Sequence, residues 1–304
     1  MKTTNLLQTI GNTPLIKLSK IFPQKNINIF AKLEGQNPGG SVKDRVALYM
    51  IEQAEKRGEL TPGKTILEAT SGNMGIALAM VGAHKGYPVQ IFMSEAMSQE
   101  RKTMLSALGA QLILTNKNLG TQGAIQKAAT LAQSEPSRYW FANQFNNPDN
   151  VESHYHGIAP EILRELPATN YLIAGLGTSG TIMGIAKRFR LDSPHTKIIG
   201  VLPPPGYKIQ GIQNPQKDFS GAIFKQHVAD EFIQVSKEDA FAMAQKVART
   251  EGLFVGMSSG AALFAASKLA QQLTESNPAG RALNIVVIIP DRGEKYLSTE
   301  LFAL

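Results

Sequence analysis

No cysteine occurs anywhere in the 304 residues, and this one absence removes disulfide bonds, thiolate nucleophiles and cysteine-ligated metals together. Any chemistry must then come from lysine, serine, threonine, histidine or a bound cofactor. Long apolar runs are missing too. No stretch approaches the roughly 20 residues of a membrane span, and the opening MKTTNLLQTIGNTP carries no signal-peptide apolar region. A cytoplasmic protein without membrane contact is expected. Basic runs are equally absent: the 31 Lys and Arg are spread along the chain, often beside one of the 24 Asp and Glu, and form no stripe with aromatic residues. The formal charge of +7 therefore reads as a mildly basic surface that attracts anionic metabolites, not as a nucleic-acid interface. What is present is ordinary for a globular chain, with 43% hydrophobic and 18% charged residues and a mean hydropathy of -0.11, which argues against extensive disorder.

From Lys64 onward, short apolar runs alternate with helical patterns. TILEA, VQIFM and QLILT are followed by helix-like segments over Ile76 to Lys85, over Gln99 to Leu108, and up to about Ala132. A second series begins with NYLIAGLG (Asn170 to Gly177), continues through KIIGVLP and ends with LNIVVIIP (Leu283 to Pro290), again with helices between. Strands alternating with helices predict parallel sheets covered on both faces, so the expected fold class is α/β, with two doubly wound parallel-sheet domains. The polar turn NQFNNPDN, Asn143 to Asn150, marks the best boundary between them.

In open parallel sheets ligands bind outside the carboxyl ends of the strands. Three strand-to-helix turns are therefore candidates: TSGNMG (Thr70 to Gly75), GLGTSGT (Gly175 to Thr181) and GMSSGA (Gly256 to Ala261). All are rich in glycine and hydroxyls, and backbone N–H groups at a helix start favour anions. GLGTSG matches the dinucleotide fingerprint G-x-G-x-x-G, but the next strand ends in GVLPPPG without the required acid, and Asp192 lies before that strand. The hydroxyls of Thr178, Ser179 and Thr181 fit better around a phosphate monoester; a dinucleotide turn and a purely structural glycine turn stay open behind it.

NPGGSVKDR (Asn37 to Arg45) sets Lys43 just after a glycine turn. Alone it would be a solvated lysine at a helix start. Beside a phosphate cradle, in a chain without thiols, it fits a cofactor that carries both a phosphate and an aldehyde. His154 and His156 in HYH point to opposite faces of a strand and diverge on a helix, so no metal site is expected there.

Taken in order, IGNTPL (Ile10 to Leu15), NPGGSVKDR, EATSGNMG, NQFNNPDN, HYHGIAPEI, GLGTSGTIMG, GLFVGMSSGAA and DRGEKYLST run almost end to end. As an ordered set they resemble the cysteine synthase family of fold-type II pyridoxal-phosphate enzymes, tryptophan synthase β-like, which includes the O-acetylserine sulfhydrylases and the core of cystathionine β-synthase. NQFNNPDN and DRGEKYLST look most like the B branch, whereas GYKIQGIQN (Gly206 to Asn214) is similar to the A branch. The resemblance implies a smaller, mobile domain over 41–147, a larger one formed by 1–40 plus 148–304, and pyridoxal 5'-phosphate in the cleft between them. It makes Lys43 the Schiff-base lysine and catalytic base. Gly177, Thr178, Ser179, Gly180 and Thr181 would grip the cofactor phosphate, Ser258 would face the pyridine nitrogen, and Asn73 would bond the ring hydroxyl. Thr70, Ser71, Gly72, Asn73, Met74 and Gln144 would hold the substrate. The implied reaction replaces the acetate of O-acetylserine, or the phosphate of O-phosphoserine, with sulfide or thiosulfate and yields cysteine. A cystathionine β-synthase-like enzyme, a desulfhydrase and a synthase using an amino-acid nucleophile are the implied alternatives. A homodimer is implied as well, and the B-branch likeness speaks against a serine acetyltransferase partner.

One residue departs from the pattern. Where most of the family has a threonine that helps hold the substrate carboxylate, this chain has Met74, which donates no hydrogen bond. The expectation is that Met74 retunes the substrate or nucleophile while elimination persists.

Overall fold

The apolar runs become strands, and four more strands come from stretches outside the alternation. The computed structural model describes residues 3–70, 72–95, 99–116, 120–215, 221–276 and 280–303. Within them the chain forms β1 (Leu15–Leu18), β2 (Ile27–Leu33), α1 (Lys43–Lys56), β3 (Thr65–Ala69), α2 (Asn73–Lys85), β4 (Val89–Ser94), α3 (Gln99–Ala107), β5 (Gln111–Thr115), α4 (Gly120–Ser134), β6 (Tyr139–Phe141), α5 (Asp149–His156), α6 (Ile158–Glu165), β7 (Tyr171–Gly175), α7 (Gly180–Asp192), β8 (Lys197–Leu202), β9 (Glu231–Gln234), α8 (Lys237–Glu251), α9 (Met257–Ser276) and β10 (Leu283–Ile289).

The strands form two sheets, ordered β1-β2-β10-β7-β8-β9 and β5-β4-β3-β6. Every pairing is parallel except that of β1 with β2, where Leu15 stands opposite Lys32 and Leu18 opposite Ile29. The sheets are thus parallel as expected, with one antiparallel pair at this edge. The connection over residues 19–26 is too short for the helical crossover that a parallel return needs.

Near-continuous apolar strands are what burial on both faces requires. In the larger sheet, Ile173, Val201, Ile285 and Val287 face α8 and α9, whereas the alternating Leu172, Ala174, Ile198 and Val286 face α6 and α7. In the smaller sheet, Ile66, Ile91 and Met93 pack with α1 and α2, and Leu67, Ala69 and Phe92 pack with Ala124 and Ala128 of α4. Glycine permits one of the close helix crossings: a Cβ on Gly184 of α7 would stand 2.3 Å from the Val151 carbonyl oxygen of α5. Among the described residues no helix is long and apolar enough to cross a membrane.

Helix α2 starts at Asn73, three residues before the sequence pattern suggested. Asn73 and Met74 therefore lie in its first turn, where N–H groups lack intrahelical partners. It ends at Gly86, whose φ of 81° closes the helix in the left-handed conformation, with His84 and Lys85 favourably placed in the last turn.

A buried ionic cluster fixes α1 against the larger sheet. Arg45 donates to Glu34 at 2.6 and 2.9 Å and to Glu161 of α6 at 2.6 and 2.8 Å. Lys32 of β2 lies 3.0 Å from the same Glu161 and donates to the Thr13 carbonyl at 2.6 Å. Burial alone would raise the Glu161 pKa, but the Arg45 hydrogen bonds and charge bring it down from 4.5 to about 2. Removing one partner of such a cluster leaves an uncompensated buried charge. Arg45→Met is accordingly expected to lower stability by about 3–5 kcal/mol, read from urea unfolding at pH 7. Because the folded pKa of Glu161 is depressed, its contribution is present above pH 4.5 and lost as pH falls towards 2. The difference between parent and variant should narrow over that window; a constant difference would remove Glu161 from the account.

Candidate active site

The carboxyl ends of β3 and β7 open on one cleft of about 1090 Å³ lined by residues of both sheets. The turn from β3 contributes Thr70 and Gly72, and the first turn of α2 contributes Asn73 and Met74. The turn from β7 contributes Gly177, Thr178 and Ser179, with Thr181 just inside α7, while Lys43, Gln144 and Ser258 complete the lining. Ser71 lies outside the described residues. Gly180 opens α7, where a Cβ would stand 2.0 Å from Asn150 Oδ1, so glycine is required there for close packing beneath the loop.

Lys43 opens α1, and its Nζ donates to Thr178 Oγ1 at 3.2 Å. The side chain is only partly covered, yet the amine sits deep enough that burial pulls its pKa down from 10.5 to about 8, with the Glu68 charge opposing the shift. Glu68, near the end of β3, is buried, accepts the N–H of Ala69 at 2.8 Å and of Gln144 at 3.1 Å, and is pushed by burial up to about 7. The sequence reading passed over Glu68. An acid near the end of an apolar strand, just before a ligand turn, was the available signal.

Thr178 is forced into one role. Its oxygen accepts from Lys43 Nζ at 3.2 Å and from Asn150 Nδ2 at 3.0 Å, and these two donors occupy both lone pairs of a hydroxyl. Its proton is then directed to a third partner. Asn150, fully buried, also donates to the Gln144 carbonyl at 2.7 Å, tying the substrate-side turn to the glycine turn. Thr70 Oγ1 accepts the Gly72 N–H at 3.2 Å and so keeps its own proton to donate. Ser179 holds a φ of 70°, left-handed for a non-glycine residue, a strained conformation of the kind concentrated at ligand sites.

His154 and His156 separate as the helical spacing requires. His154 is buried, with Nε2 3.2 Å from Thr181 Oγ1, and burial, reinforced by the Lys43 and Arg45 charges, lowers its pKa well below 6.5. His156 faces outward, 3.6 Å from Glu152. Met74 belongs to the α1–α2 core and also lines the cleft, and is 1% exposed.

A phosphate monoester fits the glycine turn. A Cβ on Gly177 would come within 2.6 Å of the Gly211 carbonyl, so only glycine lets the two backbones approach this closely, and the turn leads into the N-terminus of α7, which favours anions. The sequence matches the pyridoxal-phosphate dependent enzyme family over residues 6–291. It is 44% identical over 298 residues to cysteine synthase B of Salmonella typhimurium, covering 98% of this chain and 95% of that one.

The chain belongs to the cysteine synthase family.

Solved structures of the family superpose closely. The cysteine synthase of Entamoeba histolytica gives a TM-score of 0.92 at 39% identity, covering 100% of this chain and 92% of that chain. An O-acetylserine dependent cystathionine β-synthase from Helicobacter pylori gives 0.90 at 38% identity, covering both chains completely. As in the rest of the family, the cofactor is pyridoxal phosphate. The residues present suit it: a glycine turn at a helix start and an obliged hydroxyl donor would meet the phosphate, a lysine amine at the same hydroxyl would meet the aldehyde, and buried Ser258 in the first turn of α9 would meet the far end.

Only the neutral amine of Lys43 attacks an aldehyde. Reconstitution of the cofactor-free chain with pyridoxal phosphate, followed by visible absorbance, should therefore accelerate with pH through a midpoint near 8 rather than 10.5. Because the Glu68 charge holds that value up, Glu68→Gln should move the midpoint lower. A midpoint near 10 in the parent would contradict the buried amine. Gly177→Ala should weaken cofactor retention roughly tenfold or more, through steric strain against Gly211; retention through dialysis equal to the parent's would dismiss the close approach as a requirement of the cofactor site.

Proposed function

We propose that the chain makes L-cysteine by β-replacement, exchanging the acetate of O-acetyl-L-serine for sulfide, with O-phosphoserine and thiosulfate as further candidate inputs. The observation that carries this reading is the Lys43 amine, brought to about 8 by burial and bonded to Thr178 at the junction of the two ligand turns. When bound, pyridoxal phosphate would supply an aldehyde for the substrate amine and an electron sink for the pair left by the α-proton. Everything else falls to the chain.

Lys43 Nζ would remove the substrate α-proton and later return it; a base near 8 is well matched to that work at neutral to mildly alkaline pH. Thr70 and Gln144, on facing turns of the cleft, hold the substrate carboxylate. Ser258 offers the ring nitrogen a hydroxyl instead of a carboxylate, and it lies at the positive end of the α9 dipole, which disfavours a proton there. A weaker electron sink suits elimination over transamination. Residues 41–147 act as the smaller, mobile unit against 1–40 plus 148–304, with the Arg45 cluster at the pivot, and the family likeness supports a homodimer.

The test is the visible spectrum of the cofactor-loaded chain during addition of O-acetylserine and then sulfide. The band should shift, then return as cysteine is released, and Lys43→Ala should abolish the cycle. A band that ignores O-acetylserine but answers to O-phosphoserine or serine would keep the chemistry and move the function to a sister enzyme. Met74→Thr restores a donor to the substrate turn and should lower the KM for O-acetylserine by roughly tenfold. Unchanged constants with O-acetylserine, O-phosphoserine and serine would leave Met74 as a packing residue.

A further inference from the structure

The closing motif DRGEKYLST carries none of the contacts assigned above. It follows β10 and folds back against the start of α2, where two of its side chains meet Asn73. Lys295 is 4% exposed. Its Nζ donates to Asn73 Oδ1 at 2.8 Å and to the Gly39 and Gly40 carbonyls at 3.1 and 3.2 Å. Asp291 Oδ2 accepts from Asn73 Nδ2 at 2.7 Å and from the Tyr296 hydroxyl at 2.7 Å. An ammonium only donates and a carboxylate only accepts, so the two together permit one orientation of the Asn73 amide. One Nδ2 hydrogen goes to Asp291, and the second is left for a ligand in the cleft that Asn73 lines.

We propose that Lys295 and Asp291 are positioning residues that fix the Asn73 amide so that its second N–H is presented to the cofactor. The inference rests on the reading of Asn73 as a cofactor contact. The buried ammonium has three N–H donors: the Gly39 and Gly40 carbonyls take two, and Asn73 Oδ1 takes the third. The third and shortest bond, together with the acid on the other end of the amide, points to Asn73. The same ammonium also holds the turn that launches α1, so Lys43 and Asn73 are placed from a single point.

The test uses the full chain loaded with pyridoxal phosphate, as Lys295→Met, Asn73→Ala, the double variant and Lys295→Arg. The readouts are the position of the visible band and the cofactor dissociation constant, with thermal melting as a check on folding. Lys295→Met should weaken cofactor binding roughly 5- to 100-fold, as expected for loss of a charged partner in a buried hydrogen bond, and shift the band in the same direction as Asn73→Ala. The double variant should lose clearly less than the two single losses combined, because part of the Lys295 effect passes through the amide and the rest through the Gly39–Gly40 turn, and Lys295→Arg should recover most of the loss. Losses that add in the double variant would make Lys295 a structural tie and overturn the proposal. Parent-like behaviour of Lys295→Met beside an impaired Asn73→Ala would overturn it while sparing the Asn73 reading. Parent-like behaviour of both would overturn that reading and the proposal with it. Should Lys295→Met melt too low to load, Asp291→Ala, which removes the acceptor of the Asn73 amide, takes its place in the cycle with Asn73→Ala, read for the same band shift and the same non-additivity.

Discussion

An amine that must meet an aldehyde has to be neutral, and an amine in water near pH 7 is not. The architecture of the cleft follows from this conflict. Lys43 is withdrawn from solvent far enough to lower its pKa to about 8, while Glu68 beneath it keeps the shift from going further. Such a site works only if the amine does not wander, and three independent restraints see to that. Arg45, two residues on, is gripped by Glu34 and Glu161. The turn before Lys43 is bonded through its glycine carbonyls to Lys295. The amine itself rests on Thr178. Two sheets, the amino-terminal segment and the carboxyl-terminal motif all converge on the first turn of one helix.

The sequence carried the sheet-and-helix alternation well where strands are apolar and followed at once by helices. β3, β4, β5 and β7 are of that kind, and β8 and β10 are apolar enough to be read without a following helix. β2 was not read because it lies before the alternation and contains Lys32, a charge that is buried only because Glu161 lies 3.0 Å away. That compensation comes from α6 and is invisible to any local window. β6, three residues long, gives too little pattern to register, and β9 is short, with exposed Glu231 and Gln234 at its ends.

The site was legible to the extent that its residues stand in turns whose chemistry is local. Thr70, Asn73, Gln144, Thr178 and Lys43 are brought to one cleft from four separate stretches of sequence. Glu68, Asn150, His154, Asp291 and Lys295 were not read as site residues, because each matters only through a partner the fold supplies: Asn73 and Lys295 are 222 positions apart. Met74 marks the opposite limit. Its departure from a family pattern was plain in the sequence, but its double membership, in the core and in the cleft lining, needed coordinates.

The order of strands also sets a timetable. β3 to β6 occupy one contiguous stretch, so the smaller sheet has all its strands once residue 141 has been made. The larger sheet cannot close so early, because β2 pairs with β10 and Ile27 finds its partner only at Leu283. Pairings across such separations are slow, since the chain entropy of closing the loop must be met before the contacts form. During synthesis β2 and its short antiparallel neighbour β1 wait as an unpaired hairpin edge, a surface open to wrong partners. Pulse-labelled hydrogen exchange during refolding would register this as protection of β3 and β4 ahead of β2 and β10.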